Sequence, residues 1–453
     1  MDVARLSLAH GPVEDTLDRL ARVRAAAAAA GREIGVLADL PGPKVRAASF
    51  PDDGVYLNEG DDIELVVAEA ASKSTWQRIA VDHPDLLRVL EPGDKIAIGD
   101  GGIGLVVEDV KGDAAVARIT SGGRVQGRPG VSLPSGRLTN DVPTADDLRF
   151  LDAMCEAAVD AIAISFVRTP AEVSKVRMAA GANPPMLVAK IETQEAVDAI
   201  DEIVAVSDGV MVARGDLGIR CALEDVPIHQ KHIIRAGVAY GRPVITATQM
   251  LESMVRASVP TRAEVSDVAN AVFDGTSALM LSGETAIGHD PARAVRTMAR
   301  IAARAELDFD HEGWGAHLGR QQTADAQHAP ANVRITAAIS AAAWRAAVDA
   351  DVSAIVACTN TGSTARAISR FRPRVPILAV TPSSRTARQL AMAWGITPVV
   401  GERRGTTDDI VWFAVKAAVE SGLVKTGDVV AVLVGSPQEP DLTTDVLRLM
   451  RIH

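Results

Sequence analysis

Lys190 and Glu192 flank a single isoleucine in Ala189-Lys190-Ile191-Glu192. On an extended strand, residues i and i+2 point to one face, so this ammonium and carboxylate project together. A further carboxylate, Asp216, follows the next apolar run in Val212-Ala213-Arg214-Gly215-Asp216-Leu217-Gly218. Two carboxylates with few other candidate ligands suit Mg²⁺, which keeps waters and takes substrate oxygens. A lysine beside that ion can neutralise an enolate or a phosphoryl group in transfer. From spacing alone, a Lys–Glu pair that only caps a strand explains the pattern equally well. A second constellation is Thr359-Asn360-Thr361-Gly362-Ser363-Thr364-Ala365-Arg366, between an apolar run and a helix start. Backbone N–H groups and hydroxyls there form an anion site, and a plain helix N-cap is the equal alternative. Ser383, Ser384 and Arg385 follow the next strand and are candidates to assist.

The elements that must hold these groups alternate between helices and short apolar strands. After Pro143 the strand candidates are Ala161–Phe166, Met186–Ile191, Gly209–Ala213, Pro243–Thr248 and Ala278–Leu281. Each is short and nearly continuously apolar, as parallel strands buried on both faces are. Unit lengths near 30 residues predict a (β/α)8-type barrel of the α/β class. Polar groups recur at the strand ends: Ser165, Arg168, Lys190, Glu192, Arg214, Asp216, Thr248, Ser282 and Glu284. In such barrels that end carries the active site. Residues 1–46 and 141–308 are assigned to the barrel. Residues 47–140 alternate in short runs between turns such as Pro92-Gly93-Asp94, and read as an inserted small β-barrel domain. Residues 309–330, with His311, His317 and His328, read as a solvated linker, and 331–453 as a C-terminal three-layer αβ domain.

Composition narrows the class. A net charge of -11 disfavours nucleic-acid binding, which needs a basic surface. The apolar fraction of 47% excludes a disordered chain. No apolar run reaches the roughly 20 residues that span a bilayer, so no membrane partner is expected. Cys155, Cys221 and Cys358 are far apart without CxxC spacing, which argues against a zinc site or disulfide framework and fits a reducing cytoplasm.

Several motifs carry a family resemblance. Lys190-Ile191-Glu192, Val212–Gly218, Ile245-Thr246-Ala247-Thr248-Gln249-Met250-Leu251, Pro260-Thr261-Arg262-Ala263-Glu264 and Met280-Leu281-Ser282-Gly283-Glu284-Thr285 resemble those of pyruvate kinase. Arg5-Leu6-Ser7-Leu8-Ala9-His10-Gly11 and Gly42-Pro43-Lys44-Val45-Arg46 resemble its earlier motifs, and the match runs in order across nearly the whole chain. The resemblance implies phosphoryl transfer from phosphoenolpyruvate to ADP, giving pyruvate and ATP in glycolysis. By the same resemblance, Glu192 and Asp216 hold Mg²⁺ (or Mn²⁺), and Lys190 sits against the transferring phosphoryl group and the enolate oxygen. Thr248 lies near the carbon that is protonated. Arg5 and Arg46 bind phosphate oxygens, although Arg5 can instead pair with Asp39. His10 lies near the nucleotide, Asp39, Lys44 and Gly215 belong to the substrate site, and Ser282 and Glu284 join a proton-delivery network. Thr359, Thr361, Gly362, Ser363, Thr364 and Arg366 form an effector site for a sugar phosphate or AMP. Arg262 resembles a subunit-contact residue, and a homotetramer is implied.

Departures from the family pattern carry their own expectations. Ser7 and Ala9 stand where many members place an Asn and a Ser that bind K⁺, and Lys44 stands where K⁺-dependent members carry Glu. A lysine there implies that K⁺ is not required. Pro129 replaces a second basic residue of the lid, which implies looser nucleotide binding. Val3–Leu8 matches the second barrel strand, so seven strands are found and the first βα unit is missing. The expectation is either a start placed too far downstream or a barrel that closes differently. The altered motif and the early start leave open a second reading, a catalytically silent paralogue that binds a metabolite or a true kinase. A third, a pyruvate-handling lyase on a similar barrel, is disfavoured by the insertion and the C-terminal domain.

Overall fold

The computed structural model describes residues 1–9, 11–69, 71–99, 102–133, 141–325, 331–435 and 443–453. Two strands, β1 (Val3–Ser7) and β2 (Gly35–Asp39), open the barrel. The inserted segment then contributes β3 (Phe50–Leu57), β4 (Asp62–Val67), β5 (Arg78–Val81), β6 (Lys95–Ile98), β7 (Ile103–Lys111), β8 (Ala114–Ser121), β9 (Gly123–Gly127) and β10 (Val131–Ser132). The barrel resumes with β11 (Ala161–Ile164), β12 (Met186–Ile191), β13 (Gly209–Ala213), β14 (Val244–Ala247) and β15 (Ala278–Leu279). The C-terminal domain holds β16 (Ala354–Cys358), β17 (Ile377–Thr381), β18 (Ile396–Val400), β19 (Val429–Gly435) and β20 (Thr444–Arg451).

The barrel strands form one parallel sheet in the order β1-β2-β11-β12-β13-β14-β15, with helices between them. Every residue of β2, β11 and β13 is buried, as the apolar runs predicted. The helices start on strong caps. Thr144 with Asp147 and Thr261 with Glu264 close reciprocal capping boxes at Ala145–Glu156 and Arg262–Phe273. Asp147 also accepts from the N–H of Gly42, which anchors the turn after β2. Gly42 has φ +66°, and a Cβ there would meet Phe166 at 2.8 Å, so glycine is required.

The insertion packs a six-stranded sheet, β10-β6-β7-β8-β4-β5, beside the β3–β9 pair, around its own core of Leu65, Ile79, Ile96 and Leu105. The C-terminal sheet has the order β18-β17-β16-β19-β20, with only β20 antiparallel. In the sequence β16, β17 and β19 stand out as nearly unbroken apolar runs, and the two edge strands do not. Pro398 disguises β18, and in β20 the charged residues Asp445, Arg448 and Arg451 interrupt the apolar ones.

The stretch 309–330, read as a solvated linker, carries a helix at His311–Asp325. His311 is half-buried: its Nδ1 lies 2.8 Å from the Arg372 carbonyl and its ring meets Phe309 edge-on. It is therefore packed, contrary to the expectation, because Phe309 and Trp314 bring this helix onto the domain seam. His317 is exposed as expected, and His328 lies outside the described residues.

Candidate active site at the barrel end

The C-terminal ends of β2, β11 and β12 bring together Asp39, Ser165, Lys190 and Glu192. Lys190 Nζ donates to Ser165 Oγ at 2.6 Å and lies 3.4 Å from Asp39 Oδ1. Ser165 Oγ donates its own hydrogen bond to the Leu40 carbonyl at 2.7 Å, which leaves a lone pair for the lysine. Nζ also lies 2.9 Å from Glu192 Oε1 as an ion pair without hydrogen-bond geometry, and that buried oxygen has no hydrogen-bond donor. The other oxygen, Oε2, accepts from the Phe166 N–H at 2.7 Å.

Charge is tightly balanced here. Burial pushes the Lys190 ammonium down, but Asp39, Glu192 and Asp216 outweigh it and raise it above the ordinary lysine value. Burial likewise pushes Asp39 up, and Lys190 and Arg5 more than reverse it, so its carboxyl stays below the usual range. Burial raises Glu192, helped by Asp216, and Lys190 with the Phe166 N–H only partly offset this. A buried carboxylate in that position gains from one more cation. Asp216, half-buried in the first turn of Arg214–Arg220, supplies the second carboxylate. Among the described residues no cluster of three or more His, Cys, Asp or Glu is found. The donor set that fits a metal is therefore two carboxylates, one with an undonated oxygen, a pattern suited to Mg²⁺ with substrate oxygens and waters.

Thr248 lies at the end of β14, across from Asp216. Its Oγ1 accepts from the Gly215 N–H at 2.7 Å and donates to the Ala247 carbonyl at 2.6 Å. Thr248 and Gln249 hold φ of +69° and +52°, and Phe166 +59°, all strained conformations for residues with a Cβ. Arg214 fastens the Thr248 turn: it donates to the Ala247 and Thr248 carbonyls at 3.2 and 2.8 Å, while its other arm pairs with Asp267 at 2.6 Å. Glu284 is fully buried and accepts from the backbone N–H of Leu251 and of Ser282, so it ties the β14 and β15 loops together.

Other expected residues fall as follows. Arg5 donates from Nε to Asp39 Oδ2 at 2.8 Å, the ion pair foreseen as the alternative to phosphate binding. Arg46 donates to the Ala9 and Arg128 carbonyls at 3.4 and 3.3 Å, at the junction with the insertion. Lys44 is exposed, and its side chain runs over Gly130 of the insertion. His10 lies outside the described residues. In the sequence Ser165 and Arg214 stand out only as polar groups at strand ends, with no role attached to them. Their position after consecutive strands was the available signal.

In the C-terminal domain, Thr359, Thr361, Ser363 and Thr364 line a cavity of about 510 Å³. Gly362 stands beside it at φ +84° and donates its N–H to Thr359 Oγ1. Arg403 and Arg404 also line the cavity, from a Gly-Glu-Arg-Arg-Gly run that sequence reading passed over. Arg366 does not join them. It lines a smaller cavity against the barrel, because Gly362 lacks a Cβ and leaves room for its Nη1. Arg385 turns to the Asn183 carbonyl of the barrel, and Ser383 caps the helix Ser384–Leu390.

A lysine and two carboxylates at the mouth of a parallel α/β barrel, with an appended αβ domain, suit an enzyme that neutralises charge on phosphoryl or enolate oxygens. The family description "Pyruvate kinase, barrel domain" matches residues 1–295, and "Pyruvate kinase, alpha/beta domain" matches residues 337–450. Relatives named pyruvate kinase include that of Clostridium acetobutylicum, 38% identical over 100% of this chain and 94% of its own length. That of Methylorubrum extorquens is 40% identical over 99% of this chain and 91% of its own. That of Geobacillus stearothermophilus is 40% identical over 100% of this chain and 76% of its own. The chain belongs to the pyruvate kinase family. It is a glycolytic phosphotransferase.

Proposed function

We propose that this chain transfers the phosphoryl group of phosphoenolpyruvate to ADP at the Lys190–Glu192–Asp216 cluster. The observation that carries the assignment is Lys190, whose ammonium faces Asp39, Ser165 and Glu192 at the ends of three adjacent strands. Its charge is held fully on, so it can balance negative charge on a phosphoryl group and on the enolate oxygen left behind. Glu192 and Asp216 would hold the Mg²⁺. When bound, that ion neutralises phosphate and enolate oxygens as a Lewis acid. Arg5 keeps Asp39 in place beside Lys190, and Arg46 lies where a second phosphate contact is available at the insertion. Thr248, held by Arg214 and Gly215, places a hydroxyl where the enolate carbon would be protonated. Positioning and charge account for most of the rate, since phosphoryl transfer asks little covalent chemistry of the protein.

The finer assignments belong to the same proposal. Lys44 takes the place of K⁺, the C-terminal cavity takes a phosphorylated effector such as a sugar phosphate or AMP, and the enzyme works as a cytoplasmic homotetramer. Arg403 supports the effector reading by adding positive charge to the hydroxyls, while Arg404 is paired with Glu402 at 2.8 Å. Exposed Leu223, Ile228, Val259 and Ile287 support burial against another subunit. Among the described residues no helix is long and apolar enough to cross a membrane. The test is pyruvate formation from phosphoenolpyruvate, ADP and Mg²⁺ at constant ionic strength, with and without K⁺. Turnover that changes by less than about tenfold with K⁺ supports the assignment of Lys44. A folded chain without turnover favours the silent-paralogue reading.

A further inference from the structure

The two carboxylates of the barrel-end cluster stand on different elements. Glu192 follows β12, and Asp216 lies in the first turn of the helix Arg214–Arg220. A cation shared by both senses their separation, so a contact that ties the two elements together governs the site. Arg220 makes such a tie. It ends the helix one turn beyond Asp216, at the i, i+4 spacing that puts two side chains on one face. Its guanidinium lies over the Phe166 ring, 4.8 Å from the ring centre. The Phe166 N–H in turn donates to Glu192 Oε2 at 2.7 Å. The helix that carries Asp216 thus grips the residue that holds Glu192.

Arg220 is committed to little else. Among the described residues its half-buried guanidinium has neither an ion-pair partner nor a hydrogen-bond acceptor, and its Nε is buried without a partner. Drawing an arginine from water without a carboxylate is costly, and the aromatic face is what offsets it here. Phe166 is poorly placed to yield. It is 8% exposed, holds φ of +59°, and lies where an added Cβ on Gly42 would meet its ring at 2.8 Å. The Gly42 turn is itself anchored on Asp147. A strained backbone persists only where its surroundings over-determine it, and here the Gly42 turn and the guanidinium both hold the ring. The N–H that orients Glu192 therefore depends on Arg220, while Glu192 Oε1, without a donor, is the oxygen left for a cation. The charges that act most on the Glu192 carboxyl are Lys190 and Asp216, so Arg220 acts by contact.

We propose that Arg220 is a positioning residue of the metal site: stacked on Phe166, it sets Glu192 against Asp216 for a divalent cation. This rests on the reading that those two carboxylates take Mg²⁺, and deepens it. Arg220 acts through Phe166 and needs no contact with the ion. The flat guanidinium matters more than its charge, since it covers a ring face as a compact ammonium does not. Without the stack, the Phe166 turn and the carboxylate it holds sample a wider range of directions, and the cation is bound less tightly.

Binding of Mn²⁺ to the full chain, read from the electron paramagnetic resonance of the free ion, tests the clamp without turnover. Arg220→Gln and Arg220→Lys are each expected to weaken Mn²⁺ binding at least about fivefold, the order of a desolvated cation–π contact. The lysine variant keeps the charge, so it separates contact from charge and guards against a folding defect in the glutamine one. The Mg²⁺ concentration for half-maximal pyruvate formation is expected to rise by the same factor. Phe166→Leu removes the ring, and adding Arg220→Gln to it is expected to weaken binding by less than about twofold more, as coupled partners do. Glu192→Gln checks the reading beneath: undiminished Mn²⁺ binding there overturns the metal assignment, and the clamp with it. Where Glu192→Gln does lose Mn²⁺, wild-type affinity in either folded Arg220 variant overturns the clamp alone. So does full additivity of Arg220→Gln with Phe166→Leu.

Discussion

Lys190 is the residue on which the site turns. It sits between Asp39 and Glu192, both buried, and every other polar group of the cluster is arranged around it. Lys190→Met keeps the length of the side chain but removes the ammonium. It is expected to lower kcat by at least about 10²-fold, the scale of losing one preorganised charge-stabilising group. It is also expected to lower stability by roughly 3 kcal/mol, since two buried carboxylates lose their counter-charge. Steady-state pyruvate formation and urea unfolding check the two effects, and an intact kcat removes Lys190 from the chemistry. The i, i+2 spacing of Lys190 and Glu192 was legible in the sequence because strand geometry fixes it. What Ser165 and Arg214 do was not legible: each acts through carbonyls that lie 125 and 34 residues away, Leu40 and Thr248. The direction of Arg366 was also hidden, since the bare glycine that lets it turn away from the cavity only matters in three dimensions.

At the scale of elements, strands end in strain and helices begin in order. Phe166, Thr248 and Gln249 adopt positive φ just after β11 and β14, where the chain must turn sharply to present its polar groups. The helix Arg262–Phe273 steadies that turn from the other side. Glu264 accepts from the N–H and hydroxyl of Ser253 and of Thr261. Burial pushes the Glu264 carboxyl up, but these hydrogen bonds outweigh it and hold it below the usual glutamate range. A lowered folded value stabilises the fold above the unfolded pKa and loses that contribution as pH falls through the folded one. Glu264→Gln is expected to cost about 1 kcal/mol near pH 7, the worth of a helix cap. The gap to the wild type should close as the pH drops below about 4. Denaturant melts at pH 7 and in that acid range check it, and a gap constant with pH rejects it. Buried parallel strands were readable as unbroken apolar runs. Edge strands β18 and β20 were not, because a proline in one and charges at every third residue in the other remove the same signal.

At the scale of the whole molecule, two buried polar groups stand out among the contacts between the barrel and the C-terminal domain. One is Arg372, only 2% exposed, which lies over Phe309 and Trp394 at 4.8 and 4.9 Å from their ring centres and reaches the Thr276 carbonyl of the barrel. Arg372→Leu is expected to cost roughly 3 kcal/mol, through the stranded Glu306 and the lost cation–π contacts. Thermal unfolding should then separate into two transitions, and one unshifted transition would count against this role. The histidine-bearing stretch around it read as a linker because its polar composition hides two aromatic anchors, Phe309 and Trp314. The second point is Asp160, fully buried just before β11. Its oxygens take Arg24 at 2.8 Å and the Val36 N–H at 2.8 Å on the barrel side, and Arg388 at 2.8 Å from the C-terminal domain. One carboxylate therefore serves both domains at once. This limits what recombination can do with the protein. A C-terminal domain borrowed from a relative is expected to dock only if it brings an arginine to the place of Arg388. The appended domain is thus not a free cassette, and its inheritance is tied to a single residue of the barrel.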